Sequence, residues 1–281
     1  MPALILEGGT FRPIFSSGVM DALIECGIQF PYVIGVSAGI TDGFSYVSKQ
    51  VRRNYDILIN YRHDKRYVGM RNYLTDKSLF GLRFAYEIIP NDIYPFDWET
   101  FLNSSTEIKV GVTNVYTGKC EYLDGKQLDK NCTMLKATCA IPFVFPAISL
   151  NSKKYYDGGI CDPIPVQKAI LDGHEKMLIV LTRPQGYQKE LSQANRVAAR
   201  FLKKKYPNLV TPLLTRHILY NQTVQYCEEL EQKGMAVILR PTEEIQIDSF
   251  EKDIRKIDAI YQFGYQEAMK NIEKIKELFH K

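Results

Sequence analysis

The sequence predicts a three-layer α/β/α sandwich with a mostly parallel central sheet and a mainly helical C-terminal extension. Two observations carry this fold class. First, the 281 residues are 45% hydrophobic and 24% charged, which is typical of a globular protein and excludes a disordered or fibrous one. Second, the first 50 residues alternate short apolar strands with helical patterns through short connections. That alternation indicates a parallel sheet covered by helices.

The N-terminal elements follow from their apolar periodicity. A short apolar strand covers residues 3–6, and a helical pattern with one apolar face follows over residues 14–26. A second apolar strand at residues 32–36 runs directly into a further helix that begins at Ser37. The strand–helix unit of a parallel sheet is therefore repeated twice before residue 50.

Residues 53–105 have a different character. They are rich in aromatic side chains, carry scattered charge and show no long, clean period. We interpret the stretch as a mostly helical insertion that lies over one end of the sheet. Its aromatic residues would then form the hydrophobic core of the inserted layer.

Strand and helix signals return after this insertion. The patterns predict a hairpin over residues 108–123, a helix at 129–139, a second hairpin that turns at 151–152, a helix at 166–171 and a strand at 177–181. Beyond residue 185 they predict helices at 190–206 and 211–233, a strand at 236–240 and an amphipathic helix from about residue 250. We therefore divide the chain into a main domain at residues 1–184 and a mainly helical C-terminal region at residues 185–281.

Composition and charge exclude several classes of function. The net charge of +4 is too small to favour nucleic-acid binding, although it suits weak attraction to an anionic membrane surface. No run approaches the roughly 18 apolar residues that a membrane-spanning helix needs. The N-terminus has no basic region and its apolar run ends at Glu7, so we expect a cytoplasmic protein. The six cysteines and four histidines show no ligand spacing, so we expect no metal site.

The first segment that carries chemistry is a G-x-S-x-G formed by Gly35, Val36, Ser37, Ala38 and Gly39. In such a strand-to-helix turn the serine hydroxyl is exposed, the helix N-terminus points at the same spot, and small flanking residues avoid a clash. We therefore expect Ser37 to be a nucleophile. A serine needs a base, but only His174 is even a weak histidine candidate, so we expect a base other than histidine.

Two further segments could complete such a site. Asp157 ends a short strand and is followed by Gly158 and Gly159, and an aspartate beside a serine can act as general base. Asp-Gly is also a common β-turn pattern. The loop after the first strand contains Gly8, Gly9, Thr10, Phe11 and Arg12. Consecutive amides in such a loop could bind an oxyanion, whereas the dinucleotide and P-loop patterns are absent.

Together these segments resemble the patatin-like phospholipase family, and most closely its bacterial single-domain proteins with an extra helical C-terminus. The family pattern is a Gly-rich oxyanion loop, a G-x-S-x-G and a D-G-[AG]. It stands here as GGTFRP at residues 8–13, GVSAG at 35–39 and DGG at 157–159. The run YYDGGICDPIPV at residues 155–166 strengthens the resemblance, which covers about residues 3–182.

The resemblance implies a patatin-like sandwich in which Ser37 is the nucleophile and Asp157 the general base. The oxyanion hole would be formed by Gly8, Gly9 and the backbone around Thr10 and Arg12. The implied reaction is hydrolysis of lipid acyl esters through an acyl-serine intermediate, without a metal or organic cofactor.

Two other functions stay open, the first of them because Thr10 and Pro13 replace family glycines in this loop. One is a weakly active or inactive protein that binds acyl lipids or a partner. The other is a lipid acyltransferase.

The aromatic stretch and a basic cluster near the C-terminal helices each have a second interpretation. The aromatic stretch at residues 53–105 could line an acyl-chain pocket or act as a lid, although we favour a packed core. A basic cluster beside Phe201 could dock peripherally on the inner, anionic membrane surface, although we favour a solvated helix end. This cluster consists of Arg200, Lys203, Lys204 and Lys205.

Overall fold

The computed structural model describes residues 1–243, 245, 251 and 253–280. The described strands are β1 (Ala3–Leu6), β2 (Tyr32–Val36), β3 (Glu107–Asn114), β4 (Cys120–Asp124), β5 (Ile148–Leu150), β6 (Lys153–Asp157), β7 (Met177–Val180) and β8 (Ala236–Leu239). The described α-helices are α1 (Ile14–Glu25), α2 (Ser37–Val47), α3 (Arg53–Tyr61), α4 (Asn72–Thr75), α5 (Trp98–Asn103), α6 (Thr133–Thr138), α7 (Val166–Leu171), α8 (Gln193–Leu202), α9 (Val210–Gln232), α10 (Ile254–Lys270) and α11 (Ile272–Glu277).

The strands form one sheet in the order β5-β6-β3-β2-β1-β7-β8, and β4 also pairs with β3. The central strands β3, β2, β1, β7 and β8 run parallel. The pairs β3–β4, β3–β6 and β5–β6 are antiparallel. The sheet is therefore mostly parallel, as the sequence predicts.

Helices cover both faces of this sheet because the central strands are apolar on both sides. Leu4, Leu6 and Val33 belong to one hydrophobic cluster, which also contains residues of α1 and α2. Ile5 and Ile34 belong to a second cluster with residues of α7 and α9. Successive side chains of a strand point to opposite faces, so the two clusters are the two interfaces of a three-layer sandwich.

The insertion at residues 53–105 contains α3, α4, α5 and a π-helix at Phe84–Ile93. Pro90 lies inside this π-helix, where it cannot donate a backbone hydrogen bond. The predicted helix at 129–139 is shorter in the structure and begins at Thr133. The preceding Cys132 has a left-handed backbone with φ of 50°, which sets the start of the helix.

The C-terminal region extends the main sheet and contributes helices on both of its sides. Strand β8 pairs in parallel with β7, and α10 crosses α1 at very short range. A Cβ built on Gly18 would lie 2.1 Å from the carbonyl oxygen of Tyr261, and one on Gly264 would lie 2.0 Å from that of Phe15. The division at residue 185 remains a prediction, and the predicted helix start near residue 250 lies outside the described residues.

Candidate active site

The candidate site lies where the central parallel strands end. Register pairs Leu6 of β1 with Gly35 of β2 on one side and with Val180 of β7 on the other. The segments that follow these three strands therefore meet at one edge of the sheet. In open α/β sheets this carboxyl edge is where ligands bind.

Ser37 occupies a sharp turn at the start of α2. Its φ is 55°, a conformation that costs free energy for a residue other than glycine. A Cβ built on Gly35 would lie 2.8 Å from the carbonyl oxygen of Leu6, and one on Gly39 would lie 2.2 Å from that of Glu7. The glycines on either side of Ser37 therefore let the turn pack directly against the end of β1.

A threonine holds this turn in place. The Ser37 amide donates a hydrogen bond of 2.8 Å to Oγ1 of Thr138. The Thr138 hydroxyl in turn donates to the carbonyl oxygen of Gly111, at 2.6 Å. Sequence reasoning missed Thr138 because nothing in its local pattern distinguishes it from any threonine at the end of a helix.

The structure brings Asp157 to Ser37 across 120 positions of sequence. The hydroxyl of Ser37 donates to Oδ2 of Asp157 at 2.6 Å. The other carboxylate oxygen, Oδ1, accepts from the Gly159 amide at 2.8 Å. Pairing of Val112 in β3 with Asp157 in β6 places the carboxylate beside the end of β2. The two glycines after Asp157 matter because a Cβ on Gly158 would lie 2.2 Å from the Gly111 carbonyl oxygen.

Burial governs the electrostatics of this pair. Ser37 and Asp157 are only 5% and 6% exposed. Burial raises the pKa of Asp157, and the hydrogen bond from Ser37, the charge of Arg216 and the Gly159 amide oppose that rise. Arg216, on α9, also donates from Nε to the carbonyl oxygen of Gly159. A carboxylate that accepts a serine hydroxyl in such a setting can take its proton.

The histidines lie outside this arrangement, whereas Cys139 lines a cavity beside Ser37. The ring of His174 packs on Tyr32 and its Nδ1 lies 2.9 Å from the Met1 carbonyl oxygen, at the opposite end of the strands. Within the described part of the chain, no histidine lines either cavity at Ser37. Burial raises the pKa of Cys139 to about 12, so its thiol is protonated near neutral pH and is a poor nucleophile.

The Gly-rich loop lies directly against Ser37. A Cβ on Gly8 would lie 2.9 Å from Cβ of Ser37. Thr10 adopts φ of 56°, so it keeps the left-handed backbone that glycine would allow at this position. Between residues 1 and 243, no acceptor is found for the amides of Gly9, Thr10 and Phe11. These amides are therefore available to a bound oxyanion.

Arg12 departs from the predicted role. Its amide donates to the carbonyl oxygen of Gly9 at 3.0 Å, so it is already engaged within the loop. Its guanidinium extends towards Thr182 and lines a cavity beside Ser37.

Two cavities meet at Ser37. One, of about 180 Å³, is mostly apolar and lies between α1, α2, α6 and the insertion. Aromatic residues of the insertion form much of its wall: Tyr67, Phe80, Tyr86 and Phe96. Aromatic residues of the stretch therefore fit both interpretations: Phe96 and Phe101 belong to the hydrophobic core, while Phe96 and other rings line this cavity. The composition of the stretch could not separate the two cases, because rings that line a narrow cavity are buried much as core rings are.

The second cavity, of about 250 Å³, lies on the other side of Ser37 and is more polar. Ser37, Asp157 and the Gly-rich loop form its inner end. Its wall carries four basic residues that the sequence analysis did not single out as a group: Arg12, Arg183, Lys189 and Arg216. They come from three separate parts of the chain, so no single local motif predicts them.

Residues 4–170 match the family model of patatin-like phospholipases, and residues 206–280 match a domain of unknown function, DUF6363. The uncharacterized protein YjjU of Escherichia coli is 26% identical over 194 residues, which cover 65% of this chain and 52% of YjjU. Lysophospholipase nte1 of Aspergillus terreus is 25% identical over 292 residues, which cover 97% of this chain and 18% of nte1. The chain therefore spans about half and about a fifth of the lengths of these two relatives.

The crystal structure of VipD from Legionella pneumophila is similar, with a TM-score of 0.56 and 14% identity over 97% of this chain and 66% of that one. This likeness confirms the predicted fold. Across the described residues, no helix combines the length and apolar character needed to cross a bilayer. With a family model matched over more than half of its length, the chain belongs to the patatin-like phospholipase family.

Proposed function

We propose that this protein hydrolyses lipid acyl esters, with Ser37 as nucleophile and Asp157 as general base. The observation that carries the proposal is the hydrogen bond of 2.6 Å from the Ser37 hydroxyl to the Asp157 carboxylate. It lies where an apolar cavity and a polar cavity meet. An ester has the same division, because an acyl chain and an alcohol group flank its carbonyl carbon. The family and the names of the lysophospholipase relatives support a lipid as the substrate.

In the first half-reaction Asp157 accepts the hydroxyl proton as Oγ of Ser37 attacks the ester carbonyl carbon. The negative charge that forms on the carbonyl oxygen is stabilised by the loop amides at Gly9 and Thr10 and by the N-terminus of α2. The C–O bond to the alcohol then breaks, and protonated Asp157 returns its proton to the leaving oxygen. The products are the free alcohol and an acyl ester of Ser37.

In the second half-reaction Asp157 takes a proton from water as the water oxygen attacks the acyl-serine. The fatty acid leaves, and Asp157 returns the proton to Oγ of Ser37. Burial helps this chemistry because the raised pKa of Asp157 makes its carboxylate a stronger base than an exposed aspartate. No metal or organic cofactor enters either step.

Labelling with a fluorophosphonate tests the nucleophile without a guess at the substrate. We expect one adduct on the intact protein, located by peptide mass to Ser37, and no adduct on Ser37→Ala. If the folded parent protein remains unlabelled, the proposed hydrolase is wrong and a lipid-binding protein takes its place. If acyl groups pass to added glycerol rather than to water, the protein is an acyltransferase.

We further propose that the protein meets lipid at a surface beside the two cavities, formed by Tyr73, Phe143 and Phe201. The rings of Phe143 and Phe201 lie edge to face with centroids 5.8 Å apart, and the Tyr73 hydroxyl donates to the Phe143 carbonyl oxygen at 2.7 Å. Phe201 is 69% exposed. The chain next to Phe143 lines both cavities, through Ile141.

Basic residues border this surface. Arg200, Lys203 and Lys204 are exposed beside Phe201 at the end of α8. Exposed aromatic rings bordered by cations are suited to an anionic bilayer, where the rings enter the interface and the cations attract head groups. This arrangement favours peripheral membrane contact over a merely solvated helix end.

A further inference from the structure

We propose that the polar cavity binds the phosphate of a phosphomonoester head group, so that lysophosphatidate-type lipids are the preferred substrate class. The proposal rests on the proposed function and goes beyond it, because it selects the head group. A choline or ethanolamine lipid would bring a positive charge as well as its phosphate into the same space.

The balance of charge in the cavity carries the proposal. Arg12, Arg183, Lys189 and Arg216 contribute four cations to its wall. Glu7 and Asp157 are the carboxylates among the described lining residues. Basic groups therefore outnumber carboxylates in this wall, and a phosphomonoester, which carries about two negative charges near neutral pH, would hold Lys189 in its charged form.

Both carboxylates also have hydrogen-bond partners of their own. Oε2 of Glu7 accepts the Thr182 amide at 2.6 Å, which holds it at the end of β7. Asp157 is occupied by Ser37 and the Gly159 amide. Lys189 forms no ion pair with a described residue, and its Nζ lies 4.7 Å from the centre of the Tyr220 ring. The Lys189 ammonium therefore faces an aromatic ring and forms no salt bridge with a described residue.

The cations also repel one another. Burial, together with the charges of Arg216, Arg12 and Arg183, lowers the pKa of Lys189 to about 7, while Glu7 opposes the shift. Burial and the charge of Arg183 likewise lower the pKa of Arg12. The repulsion between like charges in a cavity decreases when an anion binds between them. This repulsion is a second reason to expect an anionic head group in the cavity.

The cations lie at a suitable place for a head group. A Cβ on Gly9 would lie 3.0 Å from Nη2 of Arg12, so this guanidinium lies against the Gly-rich loop. Arg216 donates to the carbonyl oxygen of Gly159, two residues from Asp157. A phosphate joined to the scissile ester through a glycerol unit would therefore enter the cavity as the ester carbon reached Ser37.

The test compares three esters with the same short acyl chain, used as monomers below their micelle concentration: lysophosphatidate, lysophosphatidylcholine and monoacylglycerol. We expect kcat/KM to be at least about tenfold higher for lysophosphatidate than for the other two. Lys189→Gln should reduce this preference about tenfold, as expected when one charge-assisted contact is lost. Lys233→Gln, a matched loss of one exposed lysine at the far end of α9, should leave the preference unchanged.

A binding measurement separates this inference from the proposed catalysis. Calorimetry on Ser37→Ala protein needs no turnover, and it should show tighter binding of lysophosphatidate than of monoacylglycerol. Adding Lys189→Gln to this protein should weaken the binding of lysophosphatidate and leave the binding of monoacylglycerol unchanged. Equal binding of the two lipids overturns the head-group site, even if all three esters are hydrolysed. Preferred binding without hydrolysis by the parent protein keeps the head-group site and rejects the proposed function.

Free phosphate is the other source of the same chemistry. Inorganic phosphate and glycerol 3-phosphate are therefore titrated as inhibitors of monoacylglycerol turnover, and we expect glycerol 3-phosphate to inhibit more strongly. If inorganic phosphate inhibits as well as glycerol 3-phosphate while lysophosphatidate is not preferred, the cavity is a free-phosphate site and the lipid assignment is wrong.

Discussion

Asp157 is the residue on which the proposed chemistry depends most directly after the nucleophile. In Asp157→Asn an amide oxygen can still accept the Ser37 hydroxyl, but it cannot take the proton. We therefore expect kcat/KM to fall by at least about 10²-fold. The thermal midpoint should stay within a few degrees of the parent value, because the change removes a buried charge but keeps the side-chain volume. Turnover within threefold of the parent protein would reject Asp157 as the base.

The raised pKa of Asp157 also predicts opposite effects of pH on activity and on stability. As a base the carboxylate must be ionised, so activity should fall as pH drops through its folded pKa, which lies above the ordinary value of 3.8. The folded state binds this proton more tightly than the unfolded state does. The corresponding stability is therefore fully present below pH 3.8 and is lost as pH rises through the folded pKa.

Two measurements check this prediction: the pH profile of kcat/KM, and the free energy of unfolding of parent and Asp157→Asn proteins at several pH values. The difference in unfolding free energy between the two proteins should change with pH across the window above 3.8. A constant difference would show that Asp157 has the same proton affinity in both states.

At the scale of single residues, the sequence predicts the site residues that belong to local motifs. It does not predict those that reach the site only because the chain folds. Ser37 and Asp157 could be singled out because the turn chemistry around each requires glycine nearby. Thr138 and Arg216 could not, because they reach the Ser37 turn and the Gly159 carbonyl from distant parts of the chain. Thr10 is a further case. Its type suggests loss of the left-handed conformation, yet its φ is 56° because the surrounding loop holds it there.

At the scale of elements, the crossing of α1 and α10 attaches the C-terminal region to the main sheet. Tyr261 of α10 donates to the Asp21 carboxylate of α1 at 2.7 Å. Gly264 of α10 leaves room only for the backbone of α1, since its added Cβ would lie 2.0 Å from the Phe15 carbonyl oxygen. Backbone cannot move aside as a flexible side chain can, so the two helices would have to separate.

We therefore expect Gly264→Ala to lower the free energy of unfolding by about 1–3 kcal/mol, although alanine favours helices more than glycine does. Gln266→Ala changes an exposed position of the same helix and should stay within about 0.5 kcal/mol of the parent protein. Urea denaturation of the three proteins measures both differences. If Gly264→Ala is as stable as the parent protein, α10 does not pack this closely on α1.

The elements themselves were predictable to the extent that local apolar pattern defines them. The strands at residues 3–6 and 32–36 are found at the predicted bounds because they are buried on both faces and therefore apolar throughout. The start of α6 was predicted too early because it depends on the left-handed backbone of Cys132, which no apolar pattern records. Pairing of β8 with β7 could not be predicted either, since it joins residues about 60 positions apart along the chain.

At the scale of the whole molecule, the site lies between two unlike surroundings. The insertion supplies an apolar wall on one side of Ser37, and the chain after β7 supplies Arg183, Lys189 and Arg216 on the other. Lys189 and Arg216 belong to the region beyond residue 185, so that region contributes to the site as well as to the sheet. An amphiphilic ester fits this division, with its acyl chain in the apolar cavity and its anionic head group in the basic one.

The same division predicts how the molecule approaches a bilayer. Phe201 is exposed on α8 beside the basic cluster, and it lines neither cavity at Ser37. Phe201→Ser should therefore reduce sedimentation with vesicles of phosphatidylglycerol and phosphatidylcholine about tenfold, the loss expected when one aromatic ring no longer enters the interface. Because cations contribute, binding of the parent protein should weaken as salt rises.

The control is Leu171→Ser. Leu171 is 81% exposed at the end of α7, and this helix packs against the other face of the sheet. The control variant should bind vesicles as the parent protein does, and both variants should keep the parent turnover of a monomeric ester. Equal loss of binding in the two variants would mean that vesicles recognise exposed apolar residues in general. Equal retention would place the membrane contact elsewhere on the molecule.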